Sequence, residues 1–418
     1  MLHPNVTVSA GTALEVGSDE EGVIQFHYQS ESALVDNLLL DCQAQSGAVA
    51  SYSIKVQATA DAPALTAPKP KGPVRPALTG DPLALTDTQL RALDYPPRPD
   101  PVAAPDAYQQ WLQLVSRPAT KVSSKMTGMH ARHTGVSSNN CAAFSGTANP
   151  PYTEVQAYWN VPYITGEHIP QTPTTDYSCF WVGVGYFGSG TNDDMYQGGT
   201  EQDILVYYVT GYWVNIRNYY PWVEVIDKRN DAPTADGRCC GQVVYNGFYM
   251  QPGDTMWVEL WIGDINGNGN ASLTPPLYAW WYIHDATRGT YAFDYGGWWY
   301  VDTAGNAHFA RTPPPSPFAN DGRLPSFIQF TGQSAEWVVE RTETDPAVLS
   351  HLTQFSPTLM NGAYATVSGS YNWLPFSTQA PTQLTMTSDG SSNSPVLATA
   401  STVSGNMSAI QFQWYRYY

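Results

Sequence analysis

The chain has 418 residues and a formal net charge of -17, with 36 Asp+Glu against 19 Lys+Arg. That charge repels phosphate backbones, and no Lys/Arg cluster offers a positive groove, which argues against nucleic-acid binding. No apolar run reaches the length a bilayer requires, so no membrane span is expected, and Met1 is not followed by a basic start and apolar stretch of leader type.

Residues 1–66 hold short alternating stretches, GVIQFHYQS and ASYSIKVQA, and read as a small β module. Residues 67–125 turn proline-rich, in APKPKGPVRP and YPPRPDPVAAP, and read as a linker or pro-segment. Two short helices are predicted within it. One is TDTQLRAL, capped by Thr86 or Asp87; the other is DAYQQWLQLV, capped by Asp106, with Tyr108, Trp111, Leu112 and Val115 as its apolar stripe. That stripe packs on the N-terminal module, or it docks on the following domain as an inhibitory pro-segment that opposite charge holds and acid releases. Both readings stay open.

From 126 to 418 the chain reads as strand after strand with turn signals at Gly, Pro and Asn-Gly, as in DILVYYVTGYWVNI, TMWVELWIG and LYAWWYIHD. Without intervening long helices these runs predict an all-β domain, an antiparallel β-sandwich. The 27 Tyr, 14 Trp, 34 Gly and 33 Pro fit that class. Few basic groups also limit the self-repulsion that unfolds proteins in acid, a trait of chains that work at low pH and equally of a merely acidic secreted protein. A secreted protein is expected, although no leader is visible. The five cysteines, Cys42, Cys141, Cys179, Cys239 and Cys240, fit no zinc spacing and leave at least one thiol unpaired in a monomer.

The commoner hydrolase signatures are missing: there is no G-x-S-x-G elbow, H-E-x-x-H or C-x-x-C. Asp302 in DTAG has no second Asp-Thr-Gly to share a proton and reads as a turn. His130 and His133 in MHARH lack a completing cluster and read as surface histidines. The loop DINGNGN from Asp264 begins like a calcium loop, but Pro275 stands where the closing glutamate belongs, so Asn-Gly turns explain it. No metal site is expected.

What remains is a set of polar residues among strand hydrophobics: SSNNCAAFSG from Ser137, VQAYWNVP, WVGVGYFG from Trp181, YQGGTE from Tyr196, WVE at Trp222 and AEWVVE from Ala335. In order and strand context this series resembles the eqolisin glutamic peptidases, whose stretches S-x-N-W-A-G, W-V-G-I-D-G, L-Q-T-G-x-D, W-x-E and A-E-W-I-V-E it follows over about two thirds of the chain. Cys141 stands where the family has Trp, and Gly185 where it has Asp. The resemblance implies two curved, concanavalin-like sheets and an acid endopeptidase acting on polypeptides as a monomer. It makes Gln197 and Glu336 the catalytic pair, with Glu201, Glu224, Trp181, Trp222 and Glu340 as supporting or substrate-binding residues, and no cofactor.

The residues themselves carry part of this reading. In IQFTGQSAEWVVE a period of two puts Ile328, Phe330, Glu336, Val338 and Glu340 on one face and Trp337 and Val339 on the other. Met195, Gln197, Gly199 and Glu201 likewise point one way, and the paired glycines offer room for a peptide backbone. A carboxylate such as Glu336 takes a proton from the attacking water, while a neutral amide such as Gln197 hydrogen-bonds the oxyanion without changing charge in acid. The competing class is a non-catalytic β-sandwich, in which Trp298, Trp299, Tyr300 and Trp373 form a sugar-stacking surface. A third reading is an inactive relative, for which Gly185 is the main argument.

Overall fold

In Thr255–Gly263, Met256, Val258, Leu260 and Ile262 enter the main core, while Trp257, Glu259 and Trp261 alternate with them on the other face. The same period of two recurs through most of the chain and builds an all-β, sandwich-like fold. The structure, a computed structural model, describes residues 35–43, 49–57, 81–117, 119–122, 126–132, 140–148, 150–169, 172–185, 194–209, 212–226, 241–245, 247–265, 267, 277–301, 307–310, 326–327, 330–345, 348–370 and 372–418. Ile328, His133, Asp302, Cys239 and Cys240 lie outside the described residues. Strands β1 (Val35–Gln43) and β2 (Val49–Gln57) pair antiparallel from Val35↔Gln57 to Gln43↔Val49, in a unit distinct from the one that holds residues 81–418.

Helix α1 (Asp87–Ala92) starts at a reciprocal cap: the Gln89 backbone N–H donates to Thr86 Oγ1 at 3.2 Å, and the Thr86 N–H donates to Gln89 Oε1 at 2.8 Å. Helix α2 (Pro105–Ser116) has its N-cap at Ala104, two residues before the expected Asp106, with Pro105 in the first turn and no side-chain cap. Its buried face is Ala107, Gln110, Trp111, Leu114 and Val115, turned from the predicted stripe so that Tyr108 and Leu112 are half-buried. Among the described residues no helix is long and apolar enough to cross a membrane.

The following strands complete the unit: β3 (Cys141–Thr147), β4 (Tyr152–Asn160), β5 (Thr174–Gly185), β6 (Met195–Val209), β7 (Tyr212–Ile226), β8 (Gly241–Tyr245), β9 (Thr255–Gly263), β10 (Tyr278–Asp285), β11 (Thr290–Gly296), β12 (Ser334–Glu340), β13 (Thr358–Val367), β14 (Thr382–Thr387), β15 (Val396–Val403) and β16 (Asn406–Trp414). The first sheet runs β14-β3-β12-β5-β6-β7-β8 and then Met126–Arg132, all antiparallel. The second runs β11-β10-β9-β4-β13-β16-β15-β14, also antiparallel. Strand β14 thus belongs to both. Between the sheets lie Phe180, Val182, Val223, Val225, Trp337 and Val339 from the first and Val155, Val258, Leu260, Trp281 and Ile410 from the second.

The first sheet also curls. Its far strand, Met126–Arg132, pairs with β8 on one side and, through Arg132↔Glu343, with the short strand Glu343–Asp345 that follows β12. The outer face of this sheet is thereby turned inward, which accounts for its burial.

Residues 81–117 pack on the outer face of the second sheet, not on the first. The Gln110 amide donates to Asn160 Oδ1 at 2.9 Å and its carbonyl accepts from Asn361 Nδ2 at 2.8 Å, while the Tyr95 ring lies 5.8 Å from that of Trp257. Buried Leu114 and Val115 each stabilise this contact by roughly 1.5–3 kcal/mol.

Candidate active site

Three cross-strand rows cross the outer face of the first sheet. The first is Ser145, Glu336, Gly183, Gln197, Glu224, one residue from each of β3, β12, β5, β6 and β7. Two residues along the strands lies the second: Ala143, Val338, Trp181, Gly199, Trp222 and, from β8, Val244. The third is Cys141, Glu340, Cys179, Glu201, Tyr220. Of the seven sequence-derived residues, Gln197, Glu336 and Glu224 share a row, Trp181 and Trp222 form the apolar row beside it, and Glu201 and Glu340 stand apart, about 13 Å along the strands.

Within the first row, Gln197 Nε2 donates to Glu224 Oε2 at 2.9 Å. Glu336 stands two strands from Gln197, roughly 10 Å at the backbone, with Gly183 between them. A Cβ at Gly183 would lie 3.0 Å from Glu336 Oε2, 2.8 Å from Trp181 Cζ3 and 3.2 Å from Met195 Cε, so these side chains close over the glycine and a larger residue there would have to push them aside. Ser334 Oγ contacts Glu336 Oε1 and, at 3.1 Å, the Gly185 carbonyl oxygen. Gln197, Glu224 and Glu336 are each fully buried.

The third row is a separate polar knot. Trp181 Nε1 donates to Glu340 Oε2 at 2.8 Å and Asn140 Nδ2 to Glu340 Oε1 at 3.0 Å. Glu201 accepts from Thr342 Oγ1 and from Gln242 Nε2, both at 2.7 Å. Burial first, then the neighbouring Asp203, pushes the Glu201 carboxyl far above its usual range; burial also raises Asp203 to about 7, against the opposing effect of its hydrogen bonds to Glu201 and Tyr220. Cys141 and Cys179 are buried thiols on either side of Glu340, and burial pushes that of Cys179 well up.

Several expectations need correction. Phe330 lies in the main core, not on the face of Glu336, because Gly332 at φ +64° breaks the alternation before β12 starts; a Cβ there would meet the Tyr152 carbonyl at 2.1 Å. The paired glycines leave no room for a substrate: a Cβ on Gly199 would meet the Phe180 carbonyl at 2.0 Å, so this glycine lets β5 and β6 approach each other, and Gly198 faces Val223 and Leu260. At Gly185, φ is +152° and a Cβ would fall 2.5 Å from the Asp194 carbonyl, so this backbone admits no aspartate there. Trp298 lies in the strand Trp298–Val301, which pairs with Ala307–Ala310, whereas Trp373 lies just before the short strand Leu374–Pro375, its ring 6.3 Å from that of Tyr364 on β13.

Sequence reasoning missed Gly183 and Ser334, although both sit inside or beside the quoted stretches WVGVG and AEWVVE. It also missed Asp203, which the period of two places on the face of Glu201. One further group has metal-like spacing: the buried carboxylates of Asp94, Glu154 and Glu259 have oxygens within 4.8 Å of one another. They lie on the outer face of the second sheet, where Thr366 Oγ1 donates to Glu154 at 3.0 Å, remote from the Gln197 row. No family model matches the chain, and no curated protein is similar to it.

Proposed function

We propose that the chain is an acid endopeptidase of the glutamic type, with Glu336 as general base and Gln197 as oxyanion donor. The observation that carries this reading is the single row in which Glu336 and Gln197 flank a side-chain-free Gly183, with Glu224 holding the Gln197 amide. With the site opened and substrate bound, a water beside Glu336 loses a proton to it as its oxygen bonds to the scissile carbonyl carbon. The carbonyl electron pair moves onto oxygen, and the second N–H of Gln197 donates to it while Glu224 accepts the first. Glu336 then returns the proton to the leaving nitrogen as the C–N bond breaks, giving an acid and an amine.

The row is shut off from solvent, so a polypeptide reaches it only after part of the chain over that face has moved. Met126–Arg132 is the strand that links the two ends of the curl, and its displacement opens the face. Complete burial is also the observation that favours the alternative, an inactive relative or binding module with a polar core. Digestion of an unfolded protein by the acid-treated chain at about pH 3–4, with pepstatin and a metal chelator both present, decides between them. Cleavage is expected; no cleavage at any acid pH, with the fold intact, sinks the peptidase reading.

A further inference from the structure

Glu336 has to be stable both as carboxylate and as carboxylic acid if it takes up and returns a proton within one turnover. A buried carboxyl needs a neighbour that can accept as well as donate, and an amide N–H or a guanidinium only donates. Ser334 meets that need. It lies two residues before Glu336 on β12, on the same face and 1% exposed, and it stands opposite Gly185 of β5. Its Oγ reaches both Glu336 Oε1 and the Gly185 carbonyl oxygen at 3.1 Å.

We propose that Ser334 is the positioning residue of Glu336, switching its one proton between these two acceptors as Glu336 titrates. With Glu336 ionised, the Ser334 hydroxyl donates to Oε1. With Glu336 protonated, its O–H donates to Ser334 Oγ, whose own proton turns to the Gly185 carbonyl. In both states the Ser334 hydroxyl and Glu336 Oε1 stay hydrogen-bonded to each other, and neither state needs a side chain to leave its rotamer. The contact also divides the labour between the two carboxylate oxygens: Oε1 is tied to Ser334, and Oε2 is the one that faces Gly183. The other ionisable group in the row, Glu224, is occupied with Gln197. The backbone carbonyl of residue 185 is the acceptor that the hydroxyl needs in the protonated state.

The inference rests on the peptidase reading for its catalytic consequence, but the Ser334–Glu336 coupling can be measured without activity. Losing a donor to the ionised form raises the carboxyl pKa, so Ser334→Ala is expected to move the acid limb of kcat/KM upward by roughly 0.5–1 pH unit and to lower kcat about tenfold, with KM little changed. Ser334→Thr, which keeps the hydroxyl, restores the limb. In parallel, the pH dependence of Tm is compared for wild type, Ser334→Ala, Glu336→Gln and the double variant. Ser334→Ala shifts the profile in the wild-type background and not in the Glu336→Gln background if the two groups are coupled. An unshifted acid limb, or the same Tm shift in both backgrounds, overturns the proposal. If the wild type cleaves nothing, the peptidase reading falls, and the Tm cycle alone judges the coupling.

Discussion

Gln197 is not free to rotate: its amide nitrogen donates to Glu224 Oε2 at 2.9 Å across the β6–β7 pair. Because a carboxylate only accepts, this bond fixes which end of the amide is nitrogen and keeps an N–H available beside it. Glu224→Gln removes that discrimination, since a second amide can present either end. It is expected to lower kcat about tenfold, whereas Gln197→Ala and Glu336→Gln each lower it by about 10²-fold or more with Tm retained. Steady-state kinetics and melting curves on the three variants check this ranking, and a Glu224→Gln enzyme as inactive as Gln197→Ala would refute the supporting role.

Two glycines separate chemistry from folding. Gly183→Ala places a methyl 3.0 Å from Glu336 Oε2 and 2.8 Å from Trp181 Cζ3, both side-chain atoms that can shift by a few tenths of an ångström. The variant is expected to fold, with a loss of about 1–3 kcal/mol, and to lose most activity. Gly199→Ala meets backbone at 2.0 Å and is expected not to fold. Circular dichroism and kinetics on both variants test the distinction; an active Gly183→Ala contradicts the proposed placement of Glu336 beside Gly183.

The buried carboxyls make stability rise towards acid. Burial raises Asp203 and Asp285 to about 7 and Asp176 to about 6, and holds Glu201 far up. Between the ordinary carboxylate range and these raised values the folded chain binds more protons than the unfolded one, so stability falls as pH rises from about 4 to 7. At about 1.4 kcal/mol for each tenfold gain in proton affinity on folding, Asp203 and its partner change stability by a few kcal/mol over that window. Tm is expected to be higher at pH 4 than at pH 7, and Asp203→Asn to flatten the slope. A Tm that rises from pH 4 to pH 7 would contradict the assignment.

The proposed function requires the row to open, and release of Met126–Arg132 from β8 and Glu343–Asp345 is the proposed route. Acid treatment is expected to yield a new N-terminus between residues 118 and 139, with activity growing in step with the cut. Sequencing the N-terminus during the time course checks both. Full activity in the uncut chain removes the need for processing.

The strands that carry Glu336, Gln197 and Glu224, and the face each of these side chains takes, are legible in the alternation of AEWVVE, YQGGTE and WVE alone. Register is not legible: nothing local in these stretches says that β5 lies between β12 and β6, and only that order makes Gly183 the residue separating Glu336 from Gln197. The same gap in information groups Glu201 and Glu340 with the pair, since face is readable and distance along the strand between non-adjacent segments is not. The helix α2 stripe is misplaced for a local reason: Gln110 is polar yet buried, because Asn160 and Asn361 satisfy its amide.

Strand β14 carries one consequence for motion. Hydrogen-bonded to β3 of one sheet and to β15 of the other, it acts as the spine of a book whose covers are the two sheets. Covers joined at a spine cannot slide past each other; they can only hinge, with displacement growing with distance from it. Strand β12, with Glu336, lies two strands from the spine, whereas Gly241–Tyr245 and Met126–Arg132, the latter tied back to Glu343–Asp345 through Arg132↔Glu343, form the fore-edge. Amide exchange should therefore be slowest along β3 and β12 and fastest at that fore-edge, so that the general base stays still while the outermost page turns.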